Sequence, residues 1–543
     1  MTQVARSAHV DTFTRENLPR RDQWPEFLFT LPEVRYAAAL NCAAELLDRH
    51  VETGHGSRRC LVTDGEKWTY SDLLARSNQV ARTLAGEMGL VPGNRVLLRG
   101  PNNPGLVASW LGVVKAGGVA VTTMPLLRAG ELKTMLEIAE VDMAICDHRF
   151  VADLHAAAPK GFRIATYGGE GADDILRSGT AKPFDNVATA ADDVCMLAFT
   201  SGTTGRPKAT MHFHRDVLAI ADTFSRHLLD PSRDDLFAAS PPLAFTFGLG
   251  QNLIFPLRAG AAVYLLEQPS PRLLLEAIER HKITVLATAP TAYRAMLPDL
   301  KAANVKSLRV CVSAGETLPQ ATWQAVHDAS GLRIVDGIGS TEMLHIFISA
   351  AGNDIRPGST GRAIPGYVAE VQDPDGRPVP DGELGRLAVK GPTGCRYLRG
   401  DRQATYVQDG WNVTGDVYTR DADGYFRYQA RADDMIISAG YNIAGPEVEE
   451  ALLRHPAVAE AAVIGVPDEQ RGMIVKAVVV LQKDADLGPE PAKTLQDFVK
   501  AEIAPYKYPR QVEFADALPR TATGKLQRFR LRAPRSGHSE SSA

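Results

Sequence analysis

The nine residues Thr200-Ser-Gly-Thr-Thr-Gly-Arg-Pro-Lys208 hold four hydroxyls, two glycines and a lysine. That set suits a polyphosphate. Glycines let backbone N–H groups approach anionic oxygens, hydroxyls donate, and Lys208 supplies a point charge. The same composition also describes a Ser/Thr/Gly surface loop, and no Walker A pattern is present. Further on, Asp336-Gly-Ile-Gly-Ser-Thr-Glu342 closes a glycine-rich run with a carboxylate. Facing phosphates, Glu342 could hold Mg²⁺ while the ion bridges phosphate oxygens; otherwise it is a solvated Glu after a turn. Asp416 in Thr414-Gly-Asp416 is by itself an ordinary turn residue. Pro519-Arg-Thr-Ala-Thr-Gly-Lys525 ends on a lysine near a basic tail, which alone reads as a surface residue.

Apolar runs must position these groups. Val96–Arg99, Val119–Thr123, Met143–Cys146, Val194–Thr200, Ile283–Thr288, Leu308–Ser313 and Leu332–Asp336 read as strands. Helical stretches such as Pro104–Ala116, Glu131–Ala139, Asp216–Leu228 and Arg272–Arg280 separate them. This α/β alternation predicts largely parallel, helix-covered sheets, with ligands beyond the C-terminal strand ends. The Thr200–Lys208 loop is expected directly between a strand and a helix, and Pro319 is expected to open a helix. From about residue 365 to 430, Asp373-Pro-Asp-Gly376, Pro380-Asp-Gly382 and Asp421-Ala-Asp-Gly424 predict an antiparallel β-rich subdomain. From Asp434 the pattern turns α+β, with a helix near Pro446–Leu453 and strands near Ala461–Val466 and Lys476–Leu481. The expected organisation is a large N-terminal domain, 1–432, and a small C-terminal domain, 433–543.

Composition narrows the class. Among 543 residues, 60 Lys+Arg face 64 Asp+Glu, so a formal net charge of −4 makes no electrostatic case for nucleic acid or an anionic membrane. The six cysteines are scattered without a C-x-x-C pair, which fits a reducing cytoplasm rather than a disulfide or zinc framework. The apolar stretches Gly105–Leu127 and Phe247–Leu266 contain Lys115 and Arg258, so they read as buried helix-to-strand segments rather than membrane spans. The first 30 residues show no signal-peptide core.

In order and spacing, the motifs resemble those of the adenylate-forming superfamily: acyl- and aryl-CoA synthetases, peptide-synthetase adenylation domains and beetle luciferases. The resemblance covers most of the chain and implies ATP, Mg²⁺ and coenzyme A. Thr200, Ser201, Gly202, Thr203, Thr204, Gly205 and Lys208 would form the phosphate loop, with Thr204 and Glu342 on the metal side. Ala314, Gly315 and Glu316, in Ser313-Ala-Gly-Glu-Thr-Leu-Pro319, would pack on the adenine. Asp336 would face its amino group, Gly337, Ile338, Gly339 and Ser340 would line the nucleotide, and Thr341 would touch the α-phosphate. Asp416 and Arg431 would hold the ribose. Lys525 would bridge the incoming carboxylate and the α-phosphate as charge develops. Rotation of a mobile C-terminal domain about Asp433 would exchange Lys525 for Ser438, Ala439, Gly440 and Tyr441 at a pantetheine tunnel. Ala209 departs from the family, which often has Gly after the loop lysine.

The acid site is implied in the same way. Phe245-Thr-Phe-Gly248 stands where benzoate–CoA ligases carry Phe-Ala-Tyr-Gly, and Glu342-Met-Leu-His-Ile-Phe347 resembles the run whose His and Ile line their ring. Phe245, Thr246, Phe247, Gly339, His345 and Ile346 would make a flat slot for one aromatic ring. Thr246 and His345 could hydrogen-bond a ring substituent, although His345 equally fits a satisfied core histidine. Benzoate–CoA ligases have a lysine where this chain has Ile437. Asn17-Leu-Pro19 and Gln23-Trp-Pro-Glu26 resemble 2-aminobenzoate–CoA ligases. The expected acid is therefore 2-aminobenzoate, with benzoate and 2-hydroxybenzoate as alternatives, in a monomer or homodimer. Two other readings remain: transfer of the aryl group to a carrier protein, and a non-catalytic nucleotide binder. Val312-Ser-Ala-Gly315 and Ile437-Ser-Ala-Gly440 lack the first Gly of a hydrolase elbow. His212 and His214 have no further metal ligands near them in sequence.

Overall fold

Strand-forming apolar runs of the N-terminal three-quarters pair into two sheets in the computed structural model, which describes residues 6–169, 174–176, 182–200, 207–400, 402–432, 434–438, 441–468, 471–483, 485–520 and 526–532. The first sheet has six strands, in the order Arg163–Tyr167, Met143–Asp147, Arg95–Arg99, Val119–Thr123, Val194–Thr200 and Lys208–Phe213. All neighbours are parallel except the last pair. The second has nine strands, six of them parallel: Ile334–Gly339, Val310–Ser313, Val285–Thr288, Leu236–Ala239, Ala262–Tyr264 and Arg59–Val62. Antiparallel strands close its two ends. Parallel strands need helical crossovers, which the intervening helices supply.

Between the strands Arg95–Arg99 and Val119–Thr123 runs the helix Pro104–Lys115. Asn103 caps it by accepting from the Leu106 N–H at 3.0 Å, and Pro104 sits where a missing N–H costs nothing. Every residue of this helix is buried, so it belongs to the core and not to a solvent face. Its last residue, Lys115, is neutralised by Asp48 at 2.5 Å. Both long apolar stretches are helix-to-strand segments, as expected, and no helix of the described residues is long and apolar enough to cross a membrane. All six cysteines are free and buried.

Two expectations are corrected. The Thr200–Lys208 segment does not lead directly into a helix: the strand Lys208–Phe213 comes first, and the helix begins at His214. Antiparallel pairing with Val194–Thr200 overrides the polar residues Thr210 and His212, both fully buried. The strand expected to end at Asp336 runs on to Gly339, so half of the glycine-rich run is sheet.

A third sheet carries the β-rich subdomain. Val368–Gln372, Gly385–Lys390 and Trp411–Arg420 pair in that order, and Phe426–Arg431 and Val407–Gln408 both pair with Trp411–Arg420. The fourth sheet belongs to the small α+β C-terminal domain. Its strands are Tyr441–Ile443, Ile436–Ser438, Gly472–Leu481, Val458–Asp468 and Gln511–Phe514. A separate core forms there, in which Val448 and Leu452 of one helix and Leu495 and Val499 of another pack with Val463 and Val475 of the sheet.

Candidate active site

Antiparallel pairing sets Thr200 directly against Lys208, which brings together the two ends of the hydroxyl-rich loop. Ser201, Gly202, Thr203, Thr204 and Gly205 lie outside the described residues. The strand beginning at Lys208 is tied on its other edge to residues 396–398: the Met211 N–H donates to the Arg396 carbonyl at 2.8 Å, and the Leu398 N–H to the Ala209 carbonyl at 2.9 Å. Between those two bonds, the Tyr397 hydroxyl donates to Glu342 Oε1 at 2.5 Å. No described residue engages Oε2. Glu342 is thereby held through Tyr397 to the strand that starts at Lys208, with Oε2 available to a cation. A hard oxygen donor of this kind fits Mg²⁺, which is held by one or two carboxylates together with phosphate oxygens.

The turn that carries Glu342 is short and constrained. Ser340 Oγ accepts from the Met343 N–H at 3.2 Å and pairs with the Tyr406 hydroxyl at 3.2 Å. Thr341 O accepts from the Leu344 N–H at 3.2 Å. Leu344 is fully buried with φ +69°, a left-handed backbone that only a well-braced turn imposes on a leucine. Gly339 is required where the chain doubles back, since a Cβ there would lie 2.6 Å from the His345 carbonyl oxygen.

Parallel register brings the expected adenine elements side by side, with Asp336 opposite Ser313. Ala314 is buried, and Gly315 follows with φ +89°. Burial pushes the Asp336 carboxyl up to about 7. Gly337 and Ile338 continue the strand toward Ser340. On the third sheet Asp416 lies opposite Arg431, whose Nη1 donates to Asp416 Oδ1 at 3.1 Å and to the Thr414 carbonyl at 3.3 Å. Burial raises the Asp416 pKa, Arg431 lowers it, and the nearby Glu342 charge raises it further; the net shift is upward. The Asp416 and Glu342 carboxylates therefore share one field.

The residues expected around an aromatic ring meet at the far end of the same turn. His345 is 3% exposed and lies against Phe255, Phe224 and Phe247, with ring centroids 4.6, 5.3 and 5.7 Å away. Burial lowers its pKa to about 3, so the imidazole is neutral around pH 7. Gly250 leaves room for it, because a Cβ there would come within 2.6 Å of the ring. Phe245 caps the helix Thr246–Leu249, and Phe245, Thr246 and Phe247 are all half-buried. Ile346, 2% exposed, begins the strand after the turn.

Not every expected residue joins this cluster. Ser438 is buried in the fourth sheet, opposite Tyr441 and Gly472. Asp433, Ala439, Gly440 and Lys525 lie outside the described residues. Glu316 accepts from Arg520 at 3.2 Å. Sequence reasoning missed Tyr397, Tyr406, Phe224 and Phe255, which sit in no motif and are recruited only by folding. It also missed the grouping of Cys42, Cys195 and His214, whose donor atoms all lie within 4.8 Å of one another. The His214 Nδ1 already accepts the Cys42 N–H at 3.1 Å, which satisfies that lone pair within the core.

The AMP-binding enzyme family matches residues 47–397, and the AMP-binding enzyme C-terminal domain family matches residues 447–525. A benzoate–CoA ligase of Thauera aromatica is 35% identical over 515 residues, which cover 93% of this chain and 98% of the relative. The crystal structure of the anthranilate CoA ligase AuaEII in complex with anthranoyl-AMP superposes with a TM-score of 0.87. It is 34% identical, over 92% of this chain and 98% of that one. A benzoate CoA ligase from Burkholderia xenovorans LB400 superposes with a TM-score of 0.84 at 33% identity, over 91% of this chain and 100% of that one.

Proposed function

The chain belongs to the AMP-binding enzyme family and is an AMP-forming aryl-CoA ligase, and from that premise we propose that its acid is 2-aminobenzoate. In the first half-reaction a carboxylate oxygen of the acid attacks the α-phosphorus of ATP and pyrophosphate leaves. In the second, the coenzyme A thiol attacks the carbonyl carbon, and AMP leaves with the electron pair of the broken C–O bond. The protein contributes positioning and charge stabilisation more than covalent chemistry.

In this reading Thr200, Lys208 and the loop between them hold the polyphosphate, and Thr341 holds the α-phosphate. Glu342 Oε2, with Thr204, would hold Mg²⁺, which when bound neutralises phosphate charge. Asp336 accepts from the adenine amino group, and Asp416, oriented by Arg431, accepts from the ribose hydroxyls. Lys525 balances the charge developing between carboxylate and phosphorus. Residues 433–543 then turn about Asp433 to bring Ser438, Ala439, Gly440 and Tyr441 to the thiol.

The observation that carries the aromatic acid is the packing of His345, at the end of the turn that carries Glu342, against Phe247 of the helix Thr246–Leu249, with Ile346 next in the chain. Flat aromatic walls suit one ring. A neutral His345 offers one donor and one acceptor, and Thr246 is the hydroxyl of the Phe245–Phe247 segment, which suits an ortho amino group. AuaEII, the anthranilate ligase, has this fold and similar length.

Pyrophosphate release with 2-aminobenzoate, benzoate, 2-hydroxybenzoate, phenylacetate and octanoate, with and without coenzyme A, tests the reading. Sustained CoA-dependent turnover, fastest with 2-aminobenzoate, is expected. Preference for octanoate would overturn the aromatic slot, and preference for benzoate would overturn the ortho substituent. Release that stops after one turnover despite coenzyme A would point to a carrier-protein acceptor. Thr246→Ala is expected to reduce the preference for 2-aminobenzoate over benzoate; an unchanged ratio removes Thr246 from the recognition.

A further inference from the structure

Two tyrosines outside every motif hold the two ends of the Ser340–Glu342 turn. Tyr397 donates to Glu342 Oε1 at 2.5 Å, and the Tyr406 hydroxyl lies 3.2 Å from Ser340 Oγ. Their rings meet edge to face, 5.9 Å apart at 83°. Tyr397 is 3% exposed, so its phenol lies in a low-dielectric site where a charge-assisted bond is strong.

The backbone around Tyr397 is locked on both sides. Arg396 points the opposite way into the core, where it pairs with Asp216 and donates from Nε to the Met211 carbonyl at 3.2 Å. Gln403 Oε1 accepts the Tyr397 N–H at 3.0 Å, and Gln403 Nε2 donates back to the Cys395 carbonyl at 3.0 Å. The strand to which residues 396–398 are bonded is the one that starts at Lys208. A single strut thus links the phosphate-loop lysine to the carboxylate of the turn.

We propose that Tyr397, braced by Tyr406, is a positioning residue that holds Glu342 at a fixed distance from Lys208 and directs Oε2 toward the metal of Mg·ATP. The proposal rests on the reading that Glu342 serves that metal. By binding one oxygen, Tyr397 removes the rotational freedom of the carboxylate before the nucleotide arrives, so that this ordering is not charged against binding.

The test uses the full-length protein and calorimetric titration with Mg·ATP and with ATP in EDTA, alongside kinetics. Tyr397→Phe is expected to weaken Mg·ATP binding about tenfold, as loss of a bond to a charged group does. Metal-free ATP binding and KM for the aryl acid are expected to stay unchanged. Equal weakening with and without metal would mark a packing role and overturn the proposal, as would no weakening at all. Glu342→Gln separates the layers. If it too leaves the Mg·ATP affinity intact, the reading of Glu342 fails. If it weakens Mg·ATP while Tyr397→Phe does not, only the strut fails. Tyr406→Phe keeps the ring edge and removes the bond to Ser340. It is expected to give a smaller loss in the same metal-dependent quantity, and no loss there overturns the bracing even if Tyr397→Phe does not fold.

Discussion

Arg520 joins the small domain to the large one through Glu316. Its Nη1 donates to Glu316 Oε1 at 3.2 Å, while Nη2 donates to Glu460 on the fourth sheet at 2.6 Å. Arg520 lies in the segment that ends at Lys525, and Glu316 follows Gly315, which is proposed to lie on the adenine side. Under the proposed roles, the pair would favour the domain arrangement used for adenylate formation. Arg520→Met is expected to slow pyrophosphate release about three- to fivefold, the value of a partly exposed ion pair. Reaction of coenzyme A with preformed aryl adenylate should keep its rate; slowing of both steps alike would show that the pair does not choose between arrangements.

Asp336 makes the stability of the ligand-free protein depend on pH. Its carboxyl ionises at about 7 in the fold, and near 4 in the unfolded chain. The folded chain thus keeps a proton that the unfolded chain has lost, so destabilisation grows as pH rises from about 4 to about 7. Asp336→Asn should raise the melting midpoint at about pH 8 and leave it nearly unchanged at about pH 4. An equal difference at both pH values would remove Asp336 as the cause. Adenine would donate to the ionised form, so ATP affinity should rise across neutral pH in the parent and not in the Asn variant.

The ion pair of Arg396 and Asp216 is wholly buried, and Arg396 packs on the Phe213 ring at 3.9 Å. Asp216→Asn strands the guanidinium charge and should cost about 3–5 kcal/mol in denaturant unfolding. Arg396→Met combined with Asp216→Leu should recover most of that loss, because apolar replacement of both partners removes the desolvation cost. A double variant as unstable as the single one would refute this account.

Asp416→Asn should raise KM for ATP about tenfold, the effect of weakening a hydrogen bond to a charged acceptor, with a much smaller change in kcat. A fall in kcat with KM unchanged would place Asp416 in the chemical step instead of ribose binding.

The parallel core was legible because its strands are short β-branched runs. Val194–Thr200 and Val119–Thr123 have the bounds expected from sequence, and Pro104–Lys115 ends within one residue of its expected helix. Lys208–Phe213 was not legible as a strand: Thr210 and His212 gain their hydrogen bonds only after neighbouring chain has packed on them. Residues drawn from distant segments left no local signal either. Arg396 and Asp216 are 180 residues apart, and Tyr397 meets Glu342 across 55. Phe224 and Phe255, ordinary core aromatics by pattern, become the cage of His345 only when a helix and a turn meet.

Leu344 holds a left-handed backbone in the turn that separates Glu342 from His345, so the residues proposed for the nucleotide and for the ring are mounted on one stiff piece of chain. A stiff mount transmits displacement. In the proposed reading, a change at His345 to admit a bulkier acid would also drag Glu342, and a change at Ser340 would tilt His345. Selectivity and turnover are in that sense a single adjustable quantity here, and laboratory evolution toward new acids should have to change both sides of the turn together.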